Sequence, residues 1–169
     1  MRGSGNRFCG GGMIKVNVVA VGKVKERYFA DGIEEYSKRL GRFCEFRIIE
    51  TEEENFKKVD EKTVGLIKKK EGERILPNLK GVVFVTAPEG KKFSSEKLAE
   101  TLKTFADEGK GVFTFVIGGS YGLSDEVKSR ADVKISFSDM TFPHTLFRLM
   151  LTEQLYRAFS IANGSAYHK

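Results

Sequence analysis

Residues 112–126 read VFTFVIGGSYGLSDE and carry three structural signals in succession. The continuous apolar run Val112–Ile117 predicts a strand that is covered on both faces. The glycine-rich segment Gly118–Leu123 predicts a turn, and Ser124 predicts the N-cap of a following helix. A buried strand followed directly by a turn and a helix is typical of a parallel α/β sheet.

The same alternation extends in both directions along the chain. Further strands are predicted at Ile14–Val21, Phe43–Glu50, Gly81–Thr86 and Asp132–Ser136, and further helices over residues 26–40, 59–76, 95–108 and 143–163. Gly41 is predicted to terminate the first of these helices, and Ser94 to cap the third. We therefore predict one α/β domain over residues 13–169, with a mainly parallel sheet and helices on both faces. Residues 1–12, MRGSGNRFCGGG, are predicted to be a disordered leader or extended start.

Composition excludes several classes of protein. With 40% hydrophobic and 31% charged residues, the 169-residue chain is expected to fold rather than stay disordered. It contains no apolar run of the roughly 20 residues that a membrane span needs. Two cysteines, Cys9 and Cys44, argue against a disulfide scaffold and a cysteine zinc site, and fit a reducing cytoplasm. The net charge of +6 is compatible with a polyanionic partner.

Three segments follow predicted strands at the places where ligands bind in open parallel sheets. They are Thr86–Lys91, Gly118–Gly122 and Phe137–Phe142. Glycines there let a ligand approach the backbone, and the next helix offers free N–H groups.

The segment Gly118–Gly122 also satisfies G-x-S-x-G, the nucleophile elbow of serine hydrolases. Ser120 would be the nucleophile, with Asp139 and either His144 or His168 completing a triad. An elbow places its serine at a tight strand-to-helix turn, whereas the helix here is predicted to begin near Ser124. A hydrolase is therefore a distant alternative.

The last third of the chain resembles a known family. FVIGGSYGL (115–123) and SFSDMTFPHTLFRLMLTEQLYRAFSIANGSAYHK (136–169) are similar to the RlmH family of SPOUT-class RNA methyltransferases. The similarity extends to IKVNVVAVGKVKERYFADGIEEYSKRL (14–40), so it covers nearly the whole domain.

The resemblance implies a SPOUT-type α/β domain with a carboxy-terminal trefoil knot, acting as a cytoplasmic homodimer. It implies methylation of N3 of a pseudouridine in helix 69 of 23S rRNA, on the assembled ribosome. S-adenosylmethionine would be the methyl donor, and no metal is expected.

The resemblance also implies which residues contact the cofactor: Thr86, Gly118, Phe137, Ser138, Asp139, Met140, Thr141 and Phe142. All of them lie in the three strand-end segments. The match departs from the family at Thr86, where leucine is common, and at Ala87, where an acidic residue often stands. If these residues spoil the pocket, the chain would be a non-catalytic RNA- or nucleotide-binding module instead.

Catalytic candidates lie in and after the final helix. Uracil-type N3 must lose its proton before it can attack a methyl group, and a neutral histidine such as His168 could accept that proton. Tyr167 could stack on or hydrogen-bond the base, and Arg157 could contact phosphate or pseudouridine. Arg148 is expected to be either a solvated arginine or a second RNA contact. Terminal residues carry little burial, so the tail should add little stability.

Overall fold

The structure is a computed structural model that describes residues 12–168. Strands and helices alternate along these residues: β1 (Lys15–Val21), α1 (Arg27–Leu40), β2 (Glu45–Thr51), α2 (Glu61–Ile75), β3 (Val82–Lys92), α3 (Ser95–Asp107), β4 (Val112–Ile117), α4 (Asp125–Ser129), β5 (Val133–Ser136) and α5 (His144–Ala162). A short 3₁₀ turn over Leu76–Asn78, which contains Pro77, follows α2. The predicted order of elements is confirmed.

The strands form one sheet in the order β2-β1-β4-β3-β5, and every pairing is parallel. The central strand β4 is buried along most of its length, as its apolar sequence predicts. Strands β4, β3 and β5 are neighbours, so the segments that follow them meet at one edge of the sheet. The predicted parallel sheet is confirmed.

Two apolar clusters cover the two faces of the sheet. On one face, α3 and α5 pack through Leu98, Leu102, Leu151 and Leu155, and α1 packs against α5 beside them. On the other face, α2 and α4 contribute residues such as Ile75 and Val127. Helices on both faces are therefore confirmed, and the buried apolar residues of α5, such as Leu151 and Leu155, belong to the core.

Hydroxyl caps begin two of the helices as predicted. Ser94 accepts a hydrogen bond from Lys97 N–H at 3.0 Å, and Ser124 accepts one from Val127 N–H at 3.3 Å. The end of α1 differs from the prediction, because Gly41 has a helical φ of −57° rather than the positive φ of a terminating glycine.

Strand β3 is longer than predicted. Its pairing with β5 shifts register between Thr86 and Lys91, and the strand resumes to Lys92. The predicted loop after this strand is therefore an irregularity within it. The backbone passes β5 so closely that a Cβ at Gly90 would lie 2.6 Å from the Ile135 carbonyl carbon.

Two parts of the domain prediction fall outside the described residues. The predicted leader lies there except for Gly12, and so does Lys169. The trefoil knot stays a prediction, because the strand order does not define how the chain is threaded.

None of the helices formed by residues 12–168 is both long and apolar enough to cross a membrane.

Candidate functional site

A cavity of about 340 Å³ lies where β3, β4 and β5 end. Its wall includes every residue to which the family resemblance assigned a cofactor contact: Thr86, Gly118, Phe137, Ser138, Asp139, Met140, Thr141 and Phe142. Gly119, Gly122, Lys128 and His144 also line it. The three strand-end segments therefore form one pocket, whose volume lies within the roughly 300–1,000 Å³ range of small-molecule sites.

The glycine segment after β4 is a tight turn in which Gly118 has little room for a side chain. Gly122 has a φ of +84°, and its N–H donates to the Gly119 carbonyl at 3.1 Å. A Cβ at Gly118 would lie 3.0 Å from the Gly122 carbonyl carbon and 3.0 Å from the Leu123 side chain. The turn therefore presents backbone rather than side chains to the cavity.

The two departures from the family pattern fit the local structure. Thr86 Oγ1 donates a hydrogen bond to the Val116 carbonyl at 2.7 Å, so its hydroxyl is already paired. Ala87 is buried in the apolar cluster beneath α2 and α4. Neither residue leaves an unpaired polar side-chain atom in the wall of the cavity.

The segment after β5 is held by its own serines. Ser136 Oγ donates to the Ser138 carbonyl at 3.1 Å, and Met140 N–H donates to Ser138 Oγ at 3.0 Å. The Phe137 ring packs on Phe147 of α5 with centroids 4.5 Å apart. Met140 is 75% exposed at the rim of the cavity.

A second polar cluster joins α5 to the tail. Glu153 Oε1 accepts hydrogen bonds from Arg157 Nε at 3.0 Å and from the Tyr167 hydroxyl at 3.1 Å. Since that hydroxyl has one proton, Tyr36, whose oxygen lies 3.4 Å away, is the donor to Tyr167. Burial and the contacts with Tyr36 and Glu153 raise the pKa of Tyr167, and Glu153 raises the pKa of Arg157.

The tail is docked, in contrast to the expectation that it would carry little burial. Tyr167 packs edge-on against Tyr156 at 4.7 Å, with the Arg157 guanidinium 4.8 Å from its ring centroid. His168 lies between Arg157 and Glu96 and is partly buried. Tertiary contacts to α1, α3 and α5 therefore override the usual fraying of a chain end.

A groove of about 630 Å³ lies between the cavity and the tail cluster. It shares Phe137 and Phe142 with the cavity, and Tyr36 and Glu153 with the tail cluster. The candidate catalytic and cofactor residues thus lie on one continuous surface, although His168, Tyr167 and Arg157 do not line the cavity itself.

The prediction of a solvated or RNA-binding Arg148 is wrong. The residue is 2% exposed, and its guanidinium donates to Glu50 at 2.6 Å and to the Gly22 carbonyl at 3.0 Å. Arg148 therefore ties α5 to the ends of β1 and β2.

Three residues of the tail cluster were not predicted from the sequence: Glu153, Glu96 and Tyr36. For Glu153 a signal was available, because its position four residues before Arg157 is the spacing of a helical ion pair. Glu96 and Tyr36 lie far from the tail in sequence, and no local pattern marks them.

The local contacts do not assemble a serine hydrolase triad. Ser120 Oγ donates to Glu53 Oε1 at 3.3 Å, and no hydrogen bond within residues 12–168 joins it to a histidine.

Residues 12–168 hold no group of three or more His, Cys, Asp or Glu placed to bind a metal ion. Cys44 is buried, which raises the pKa of its thiol to about 12.

The chain resembles known proteins in both sequence and fold. A family model described as "Predicted SPOUT methyltransferase" matches residues 14–168. A protein named ribosomal RNA large subunit methyltransferase H from Acetivibrio thermocellus is 49% identical over 162 residues, covering 92% of this chain and 100% of the relative. The protein of the same name from Clostridioides difficile is 47% identical over 159 residues, and the match again covers 92% of this chain and 100% of the relative.

Two solved structures share the fold at low sequence identity. A probable methyltransferase from Bordetella pertussis Tohama I has a TM-score of 0.52 at 12% identity, covering 87% of this chain and 95% of that one. A probable methylase family protein from Haemophilus influenzae Rd KW20 has a TM-score of 0.51 at 15% identity, covering 91% and 70%. From its family match and its full-length relatives, the chain belongs to the SPOUT methyltransferases and, among them, to the ribosomal RNA large subunit methyltransferase H family.

Proposed function

We propose that this protein is an S-adenosylmethionine-dependent methyltransferase that acts on the RNA of the large ribosomal subunit. The observation that carries the proposal is the single cavity at the ends of β3, β4 and β5, which gathers all the cofactor positions implied by the family. The names of its full-length relatives support the substrate class.

The cavity fits the proposed methyl donor. When bound, S-adenosylmethionine supplies an electrophilic methyl group on a positively charged sulfur. Gly118 and the segment Phe137–Phe142 would hold it, largely through backbone groups, because the tight glycine turn leaves backbone open to the cavity. Phe137 and Phe142 would supply apolar contact and exclude water.

The proposed target atom is N3 of a pseudouridine in helix 69 of 23S rRNA, as in the family. An N3 proton must be removed before that nitrogen can attack a methyl group. His168 is the proposed proton acceptor through Nδ1, which must first exchange its hydrogen bond from Arg157 for one from the N3–H of the base. Tyr167 is the proposed base-contacting residue. Arg157, oriented by Glu153, would contact the base or a neighbouring phosphate.

We further propose that the active form is a cytoplasmic homodimer that recognises assembled ribosomes. The groove between α1, α3 and α5 has a partly apolar lining that includes Phe93, Leu149 and Met150. Docking of a second copy would cover these side chains and bring a second tail close to the cavity. A domain of this size offers little surface of its own for a ribosome.

Methyl transfer to ribosomes tests the proposal. Purified protein would be incubated with methyl-labelled S-adenosylmethionine and one of three substrates: unmethylated ribosomes with the pseudouridine, ribosomes lacking it, or a naked helix 69 hairpin. We expect label at one nucleotide of the first substrate and little label in the other two. Cofactor binding without transfer to any RNA would favour the binding-module alternative, and absence of cofactor binding would overturn the proposal.

A further inference from the structure

Glu71 is a buried carboxylate with one oxygen left unpaired. The residue is 3% exposed on the inner side of α2. Its Oε1 accepts a hydrogen bond from Glu54 N–H at 3.0 Å, whereas Oε2 has no hydrogen-bond partner within residues 12–168. A carboxylate in this state is costly to bury, so its position calls for a physical explanation.

The unpaired oxygen lies directly behind the glycine turn of the cavity. A Cβ at Gly119 would lie only 3.0 Å from Glu71 Oε2, and Gly119 itself lines the cavity. One glycine backbone therefore separates the carboxylate from a ligand in the cavity. Because the carboxylate is buried, its interaction with a charge on a ligand across this backbone is only weakly screened by solvent.

Other charged side chains of the cavity wall are already paired. Lys128 Nζ lies 2.7 Å from Glu89 Oε1. Asp139 pairs with Lys92 at the exposed rim. His144 is the remaining titratable group of the wall, at the start of α5.

Both acidic and basic groups surround Glu71. Glu53 and Glu54 follow β2, and Glu54 pairs with Arg74 and, at 4.0 Å, with Lys70. Arg74 also donates to the Glu52 carbonyl at 3.0 Å. Helix α4, which packs on α2, carries the exposed acids Asp125 and Glu126 and also Lys128, which is paired with Glu89. From β1, the apolar Val21 lies against the same glycine turn.

These surroundings make the proton on Glu71 sensitive to a nearby cation. Burial is the largest influence and raises the pKa of Glu71. The hydrogen bond from Glu54 N–H lowers it, the charges of Glu53 and Glu54 raise it, and Arg74 lowers it. A cation in the cavity would favour the ionised carboxylate, so its binding and proton loss from Glu71 are coupled.

We propose that Glu71 makes the cavity selective for a positively charged sulfur, so that S-adenosylmethionine binds in preference to S-adenosylhomocysteine. This inference rests on the proposed function. The two molecules share the same amino and carboxylate groups, and the second is the neutral thioether that remains after the methyl group has left. Glu71 is thus a specificity residue that retains the donor and favours release of the product.

Calorimetric titration of both ligands tests the inference. The dissociation constants would be measured for wild type, Glu71→Gln and Glu73→Gln, the last being a matched control because Glu73 is exposed on the same helix. We expect Glu71→Gln to reduce the preference for S-adenosylmethionine about fivefold, the size expected for one screened charge several ångströms away, and Glu73→Gln to leave it unchanged.

Proton release from wild type is a second test, which does not depend on the variant folding. Titrations in buffers of different ionisation heat, repeated across the pH range in which the protein stays folded, report protons released on binding. We expect S-adenosylmethionine to release protons from wild type and S-adenosylhomocysteine to release none. An unchanged preference in Glu71→Gln, or no proton release from wild type, overturns the inference alone. Failure of wild type to bind either ligand overturns the proposed function as well.

Discussion

His168 Nε2 lies 2.6 Å from Glu96 Oε1, which joins the last described residue of the chain to the first turn of α3. On the other side of the ring, Arg157 Nη1 lies 3.2 Å from Nδ1. A guanidinium can only donate hydrogen bonds, so Nδ1 is the acceptor and the ring proton is on Nε2, facing Glu96. Glu96 therefore orients the imidazole so that its lone pair points towards Arg157.

We predict that His168→Ala slows single-turnover methyl transfer about 10²–10⁴-fold, as expected for loss of a general base. Affinity for S-adenosylmethionine should stay unchanged, because His168 does not line the cavity. Glu100→Gln, an exposed acid one turn beyond Glu96, is the matched control and should retain the wild-type rate. A wild-type rate in His168→Ala would show that the tail does not take the proton, and Arg157 would then be tested next.

A second prediction concerns the glycine turn. In Gly118→Val the new side chain would press on Gly122 and Leu123, so the turn must shift and the cavity must change shape. We expect loss of S-adenosylmethionine binding in calorimetry with the circular dichroism spectrum retained. Gly65→Ala, where a Cβ meets nothing within 4 Å, should bind normally. Undiminished binding by Gly118→Val would remove this residue from the site.

The raised pKa of Glu71 predicts a pH-dependent stability difference. The fold favours the protonated Glu71 carboxyl. The stability that this carboxyl contributes is therefore fully present below the pKa of glutamate in the unfolded chain, about 4.3. It is lost as pH rises through the pKa of Glu71 in the folded protein. Glu71→Gln cannot ionise, so in urea unfolding it should become progressively more stable than wild type as pH rises from about 4.3 through the folded pKa of Glu71. Parallel pH profiles of the two proteins would contradict this prediction.

Arg148 is expected to matter for stability rather than for catalysis. Arg148→Met leaves the Gly22 carbonyl and Glu50 without their donor, which should lower the free energy of unfolding by about 2–3 kcal/mol. Arg47→Met removes an exposed ion pair with Glu45 and should cost less than about 1 kcal/mol. Equal effects of the two substitutions in urea unfolding would contradict a structural role for Arg148.

Local patterns were sufficient to predict the elements but not their arrangement. The apolar runs and the caps Ser94 and Ser124 act over a few residues, and the structure confirms them. The strand order depends on pairings such as that of β1 with β4, about a hundred residues apart, which no short pattern encodes. Arg148 was mispredicted for the same reason, since its partner Glu50 lies 98 positions earlier.

The three segments that line the cavity end at Phe142, and β5 and α5 hold the last of them in position. During translation β1 can pair early with β2, but its second partner, the central strand β4, begins only at residue 112, after most of the chain has been synthesised. A nascent chain that stops before residue 142 lacks part of the cavity wall. Ligand binding at this cavity therefore reports that synthesis has passed β5, and truncated translation products should not compete with the complete protein for the ligand.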